Sequence, residues 1–205
     1  MAINTIIFDL GGVLIDWNPN YVFEKLIPDP EKRAVFFAEV CPGHWNENQD
    51  AGYPLAQATA DRIELFPDWE LEIRAFYGRW TEMLGEAIQP TVEILKKAIQ
   101  HPDYKVYALT NWSHETLPWA REMERFKFLE WFDGIVVSGE EKTRKPFLDF
   151  YEILLKRYEI TPESALFIDD NFGNIIAAKS MNINAIHFNL EANLEKELIA
   201  FGVKL

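Results

Sequence analysis

The chain reads as an α/β protein, a Rossmann-like parallel sheet flanked by helices, with a block of helices inserted after the first strand. Three observations carry this. Five short, almost wholly apolar runs recur at Thr5–Phe8, Lys105–Leu109, Gly134–Ser138, Ala165–Ile168 and Asn184–Phe188. Segments of helical periodicity at 90–99, 146–158 and 174–181 alternate with them. Residues 17–85 hold no run of that type. Near-continuous apolar strands alternating with helices make a parallel sheet covered on both faces, since each strand must bury both of its sides.

The first run ends in Asp9, Leu10, Gly11 and Gly12, a turn in which glycine permits positive φ and close approach of a ligand. The second ends in Thr110 and Asn111, and the fourth in Asp169 and Asp170. Pro90–Ile99 places Val92, Leu95 and Ile99 on one helical face. Pro146–Tyr158 is predicted to be a helix with proline in its first turn, and Asn174–Met181 a short one. Within the insert, segments 19–27, 30–40, 54–66 and 69–84 read as helices, broken by Pro28, Pro30, Pro42, Pro54 and Pro67. The stretch CPGHWNENQDAG, residues 41–52, reads as a loop between two of them. The predicted division is an α/β core from residues 1–16 and 86–205 and a helical cap from residues 17–85.

Composition narrows the function. The 205 residues are 48% hydrophobic and 26% charged, ordinary for a globular chain. Twenty basic against 33 acidic residues give a net charge of -13, which disfavours nucleic acid and anionic membrane as partners. An anionic substrate then needs a local cation, either a metal or a particular lysine. A single cysteine, Cys41, excludes an intrachain disulfide and fits a reducing compartment. The N-terminal residues lack the basic region of a signal peptide, and no apolar stretch nears the roughly 18 residues of a membrane span. The expectation is a soluble, cytoplasmic protein of undetermined oligomeric state.

In a parallel α/β sheet, ligands bind at the carboxyl ends of the strands. Here those ends carry Asp9, Thr110 and the Asp169–Asp170 pair. Adjacent carboxylates repel unless a cation or hydrogen bonds compensate, and hard oxygen ligands of this kind suit Mg²⁺. Each residue also has a plainer reading: Thr110 and Asn111 as helix caps, Lys145 as a solvated lysine at a helix start.

Together, FDLGGVLID, ALTNWS, RKPFLDFY and FIDDNFGNIIAA, in that order, resemble the four motifs of the haloacid dehalogenase superfamily. The resemblance covers the core on both sides of the insert, and it implies a role for each position. Asp9 matches the nucleophile that forms an aspartyl-phosphate intermediate. Thr110 and Asn111 match the substrate-binding positions of the second motif, through the hydroxyl and the following backbone N–H. Lys145 matches the phosphate-binding, catalytic lysine. Asp170 matches the metal-binding acid, with Asp169 beside it as ligand or support, and Asp9 and the Gly11 carbonyl complete the Mg²⁺ set. The insert matches a cap that closes over small phosphorylated substrates.

One position departs from the usual phosphatase pattern. Gly11 stands where those enzymes mostly carry a second aspartate as general acid and base, a function worth roughly 10²–10⁴ in rate. This DLG version resembles the sugar-1-phosphatase-like branch, and it predicts a bias toward phosphates with good leaving groups. Asp16, His44, Glu47 and Asp50 are candidate replacement donors, and Trp17, Trp45 and Trp112 candidate pocket walls. The competing functions are a 2-haloacid dehalogenase, which would need no metal, and a non-catalytic binding or regulatory member of the same fold.

Overall fold

Each apolar run forms a strand because its alternate side chains find a separate hydrophobic layer on either face. A computed structural model describes all 205 residues. Its strands are β1 (Thr5–Phe8), β2 (Ile15–Trp17), β3 (Leu84–Ala87), β4 (Lys105–Thr110), β5 (Gly134–Val137), β6 (Ala165–Asp169) and β7 (Asn184–His187). Five of them make an all-parallel sheet in the order β5-β4-β1-β6-β7. β1 is central, with Phe8 opposite Ala108 on one side and Ile168 on the other.

The two faces divide the residues of each strand. Ile6, Phe8, Val106, Ala108, Leu166 and Ile168 point into a cluster completed by Val92, Leu95 and Ala98 from helix Gln89–Gln100. Ile7, Tyr107, Leu109 and Phe167 point the other way, against Phe150, Tyr151 and Leu154 of helix Leu148–Arg157 and Ile175 and Ala178 of helix Phe172–Ser180. The α/β class and the five core strands agree with the sequence.

Between β2 and β3 every regular element is helical: Asn20–Leu26, Pro30–Val35, Phe36–Val40, Gly43–Asp50, Leu55–Leu65, Pro67–Trp69, Glu70–Gly78 and Trp80–Met83. They enclose a third cluster built on Val22, Phe23, Phe36, Trp45, Phe76, Tyr77 and Trp80. No helix of the chain is long and apolar enough to cross a membrane.

Three local expectations are corrected. Residues Gly43–Asp50 form a helix, not a loop. Gly, Asn and Asp there are weak helix formers, but burial of Trp45 and Gln49 and an Asn46 Nδ2 to Asp50 Oδ2 bond of 3.0 Å hold the turns. β3 was invisible in the sequence; its four residues, LGEA, are too short to show alternation. It pairs antiparallel with β2, so both connections to the insert run through one two-stranded ribbon. Pro146 precedes its helix, which starts at Leu148, and the Lys145–Pro146 peptide is cis.

The third cluster yields a stability prediction. Phe23 is fully buried, with ring centroids at 4.6 Å from Phe36, 5.3 Å from Phe37 and 5.9 Å from Phe76. Phe23→Ala should cost about 3–5 kcal/mol in urea denaturation, the usual penalty for emptying such a site. A loss below about 1 kcal/mol would contradict a tightly packed insert.

Candidate active site

The carboxyl ends of β1, β4 and β6 bring most of the expected residues together. Asp9 directly follows β1, and its backbone N–H donates to Ile168 O at 2.9 Å. Its Oδ1 accepts from the Leu10 N–H at 2.7 Å. Its Oδ2 meets Lys145 Nζ at 2.8 Å, and the same ammonium meets Asp169 Oδ2 at 2.7 Å. Lys145 is 1% exposed, so the plainer reading of a solvated lysine is overturned.

Lys145 is held in place from several sides. Asn111 clamps its backbone, donating from Nδ2 to Lys145 O at 3.0 Å and accepting from Lys145 N at 2.8 Å. Asp169, fully buried, is engaged on both carboxylate oxygens: Oδ1 accepts from Asn171 N–H, and Asn174 Nδ2 reaches both oxygens at 3.0 and 3.1 Å. Asn174 in turn offers its carbonyl to Tyr151 Oη at 2.9 Å. The carboxylate of Asp169 thus accepts from Lys145, Asn171 and Asn174 and positions the lysine head. The side chain of Asn111 is engaged with the Lys145 backbone. Thr110 is 1% exposed and its Oγ1 has no hydrogen-bond partner, an orphaned buried hydroxyl at the end of β4.

The two glycines differ. Gly12 has φ +74, and a Cβ on it would collide with the Asp170 carboxylate, so that turn belongs to glycine. Gly11 lies outside the positive-φ region, and a Cβ on it would meet nothing within 4 Å. A side chain at 11 is absent from the sequence without being excluded by the backbone.

Electrostatically the site carries too little positive charge. Asp9, Asp169 and Asp170 can bring one oxygen each to within 4.8 Å of one another, against the single ammonium of Lys145. Burial pushes the Asp9 carboxyl up to about 8; Lys145 pulls it down, and Asp169 and Asp170 push it further up. Asp170, exposed at the mouth, is raised by partial burial and by Asp169. Three carboxylates around one cation are a fitting donor set for a hard divalent ion.

Above this floor lies a pocket of about 230 Å³ lined by Asp9, Gly11, Gly12, Asn111, Trp112 and Asp170 from the core and Trp17, Asn46, Asp50 and Trp80 from β2 and the insert. Asn46 and Trp80 went unrecognised in the sequence; the only signal for Asn46 was its i, i+4 spacing from Asp50. Of the candidate walls, Trp17 and Trp112 are placed there, whereas Trp45 packs inside the insert against Phe76 and Tyr77. Of the candidate donors, His44 is exposed away from the lining, Glu47 pairs with Arg144 at 2.7 Å, and Asp16 accepts from Tyr21 Oη. Asp50 alone of the four faces the pocket.

Residues 3–182 match the haloacid dehalogenase-like hydrolases, and the chain belongs to that family. It is 30% identical over 190 residues to a sesquiterpene phosphatase of Aspergillus oryzae, covering 88% of this chain and 87% of that one. It is 24% identical over 187 residues to a phosphorylated carbohydrates phosphatase of Thermotoga maritima, covering 89% and 83% of the two chains. A HAD family enzyme from Bacteroides thetaiotaomicron, solved as a complex with magnesium and inorganic phosphate, shares the fold. Its TM-score is 0.73 at 22% identity, with 96% of this chain and 99% of that one covered.

The raised Asp9 carboxyl gives a pH signature in metal-free protein. Its folded pKa exceeds the unfolded value of 3.8, so its contribution to stability is complete below about pH 4 and is lost as pH rises through about 8. With chelator present, Asp9→Asn should therefore unfold later than the unmodified protein at pH 8, by at least about 1.4 kcal/mol, the worth of one pK unit. The difference should shrink toward pH 4. Equal stability at both pH values would show that Asp9 is not held at a cost.

Proposed function

We propose that this hydrolase is a magnesium-dependent phosphatase that uses Asp9 as its nucleophile on a small phosphorylated metabolite. The observation that carries this reading is the Asp9 carboxylate at the pocket floor, fixed by Leu10 N–H and the buried Lys145, beside an uncompensated Asp170.

Asp9, Asp170 and the Gly11 carbonyl would hold Mg²⁺. When bound, the ion would neutralise the carboxylates and the phosphate charge that they would otherwise repel. The chain's own groups do the rest. Lys145 favours the ionised form of Asp9 and aims its carboxylate, and its ammonium offsets charge on the transferring phosphoryl group. An Asp9 oxygen bonds to phosphorus as the bond to the leaving oxygen breaks. Water then attacks the same phosphorus, releasing phosphate and restoring Asp9. Thr110 and the Asn111 backbone are the donors proposed for a phosphoryl oxygen. The orphaned Thr110 hydroxyl supports that assignment.

The insert, residues 17–85, acts in this reading as a cap over the site, closing it against bulk water. The pocket, at about 230 Å³, is smaller than the roughly 300–1,000 Å³ of drug-sized clefts, which favours a compact substrate. Its walls mix three tryptophans with Asn46, Asn111 and Asp50, a lining suited to a sugar phosphate, whose ring offers both apolar and hydroxyl faces. The name of the Thermotoga maritima relative supports the same class. A 2-haloacid carries its own carboxylate, which Asp170 would repel, and Gly11 supplies no side chain to receive it.

A screen of phosphorylated metabolites, run with Mg²⁺ and with chelator and with a 2-haloacid alongside, tests the reading. Turnover of phosphate esters should require Mg²⁺, and Asp170→Asn should raise the Mg²⁺ concentration for half-maximal rate by about tenfold or more. Chelator-resistant turnover of the haloacid, with no phosphate ester hydrolysed, would overturn it.

A further inference from the structure

Attack by Asp9 leaves a proton to be supplied. The oxygen that departs from phosphorus gains negative charge, and Gly11 stands where a donor would be expected. The pocket itself narrows the choice, because its titratable lining residues are Asp9, Asp170 and Asp50. The first two sit on the core side, where the carboxylates crowd one another. Asp50 stands on the wall contributed by the insert.

Asp50 is also fixed there. It ends helix Gly43–Asp50, and its carboxylate accepts from Asn46 Nδ2 at 3.0 Å. Its carbonyl accepts from Ser138 Oγ, which in turn accepts from the Trp112 N–H. A residue of the insert is thus tied to the core beside a pocket residue. The charged and titratable groups around it are Arg144, Glu47 and Tyr77, with Asp9 and Asp170 lining the same pocket. Arg144 is engaged by Glu47 at 2.7 Å and offers Asp50 only part of its charge.

We propose that Asp50 is the acid–base residue of the reaction, giving its proton to the leaving oxygen across the pocket from Asp9; this rests on the phosphatase reading above. As the bond from phosphorus to the leaving oxygen breaks, the Asp50 proton moves to that oxygen and the alcohol departs. Asp50, now a carboxylate, takes a proton from the water that attacks the aspartyl-phosphate. The bond between phosphorus and Asp9 then breaks, and inorganic phosphate, ionised Asp9 and neutral Asp50 result. Burial pushes the Asp50 carboxyl up to about 7, with Arg144 opposing and Glu47 adding to the rise, so the neutral acid is available at physiological pH. On this account the missing acid at 11 does not confine the enzyme to good leaving groups, as the sequence alone suggests.

The test compares two esters of similar shape, 4-nitrophenyl phosphate and 4-nitrobenzyl phosphate, whose leaving oxygens differ greatly in basicity. The readout is kcat/KM with Mg²⁺, which reports the step in which the leaving group departs. The unmodified protein should hydrolyse both. Asp50→Asn should lower the value for the benzyl ester by about 10²-fold or more, and for the aryl ester by less than about tenfold. Equal losses on the two esters, or no loss on either, would overturn the proposal, as would an unmodified protein that cleaves only the aryl ester. Failure of the phosphatase reading looks different: neither ester would be hydrolysed, or Asp9→Asn would retain full activity.

Should Asp50→Asn not fold, the unmodified protein decides. For the benzyl ester kcat/KM should fall as pH rises through about 7, since a deprotonated Asp50 has no proton to give, while the aryl ester should show a much weaker fall. Identical alkaline limbs for the two esters would overturn the assignment.

Discussion

The Lys145 ammonium sits 2.8 Å from Asp9 and 2.7 Å from Asp169 with its side chain wholly out of water, and the active-site floor is arranged around it. A buried ion of this kind is tolerated only when it is paired and its remaining hydrogen-bonding capacity is met, and breaking such a pair typically costs about 3–5 kcal/mol. The surrounding structure supplies both conditions. Asn111, at the end of β4, fixes the lysine backbone, while Asp169, Asn171 and Asn174, from β6 and the turn and helix after it, fix its head. Three parts of the parallel sheet and its connections are thereby locked to the position of one carboxylate, Asp9.

The same arrangement explains why a divalent cation belongs here. One ammonium stabilises one carboxylate well, and Asp169 takes much of that stabilisation. Asp9 and Asp170 face the pocket, where burial and then the neighbouring carboxylates push both carboxyls up against the pull of Lys145. In the phosphatase reading this cost is put to use: a site that resists its own negative charge gains most when a cation and a phosphoryl group arrive together. The insert contributes the opposite wall, and the β2–β3 ribbon carries both of its connections, so Trp17 on β2 and Asp50 and Trp80 on the insert meet the core residues in one pocket.

Much of this was legible in the residues. Asp9, Thr110 and Asp169–Asp170 announce themselves because each ends an apolar run, and in a parallel sheet the ends of the central strands converge by geometry alone. What escaped the sequence shares a physical cause, dependence on contacts made from far along the chain. The role of Lys145 was legible only through the motif it shares with the family, and its burial was not, because its two carboxylate partners are 136 and 24 residues away, at Asp9 and Asp169. The helix Gly43–Asp50 has poor intrinsic propensity and is decided by burial of Trp45 among residues of the later helices. β3 exists only through its pairing with β2, some 70 residues earlier. The distinction between Gly11 and Gly12, one open and the other pressed against Asp170, lies in backbone angles that no local pattern records.

The claim on which the account rests is that Asp9 itself becomes covalently phosphorylated. Rapid acid quenching during turnover of an aryl phosphate, reduction of any acyl phosphate with borohydride, and mass spectrometry of the digested chain would locate the modified residue. The account predicts conversion of Asp9 to homoserine in the peptide containing FDLGG, dependent on Mg²⁺ and absent in Asp9→Asn. Steady turnover with Asp9 unmodified, or modification of a different carboxylate, would contradict it.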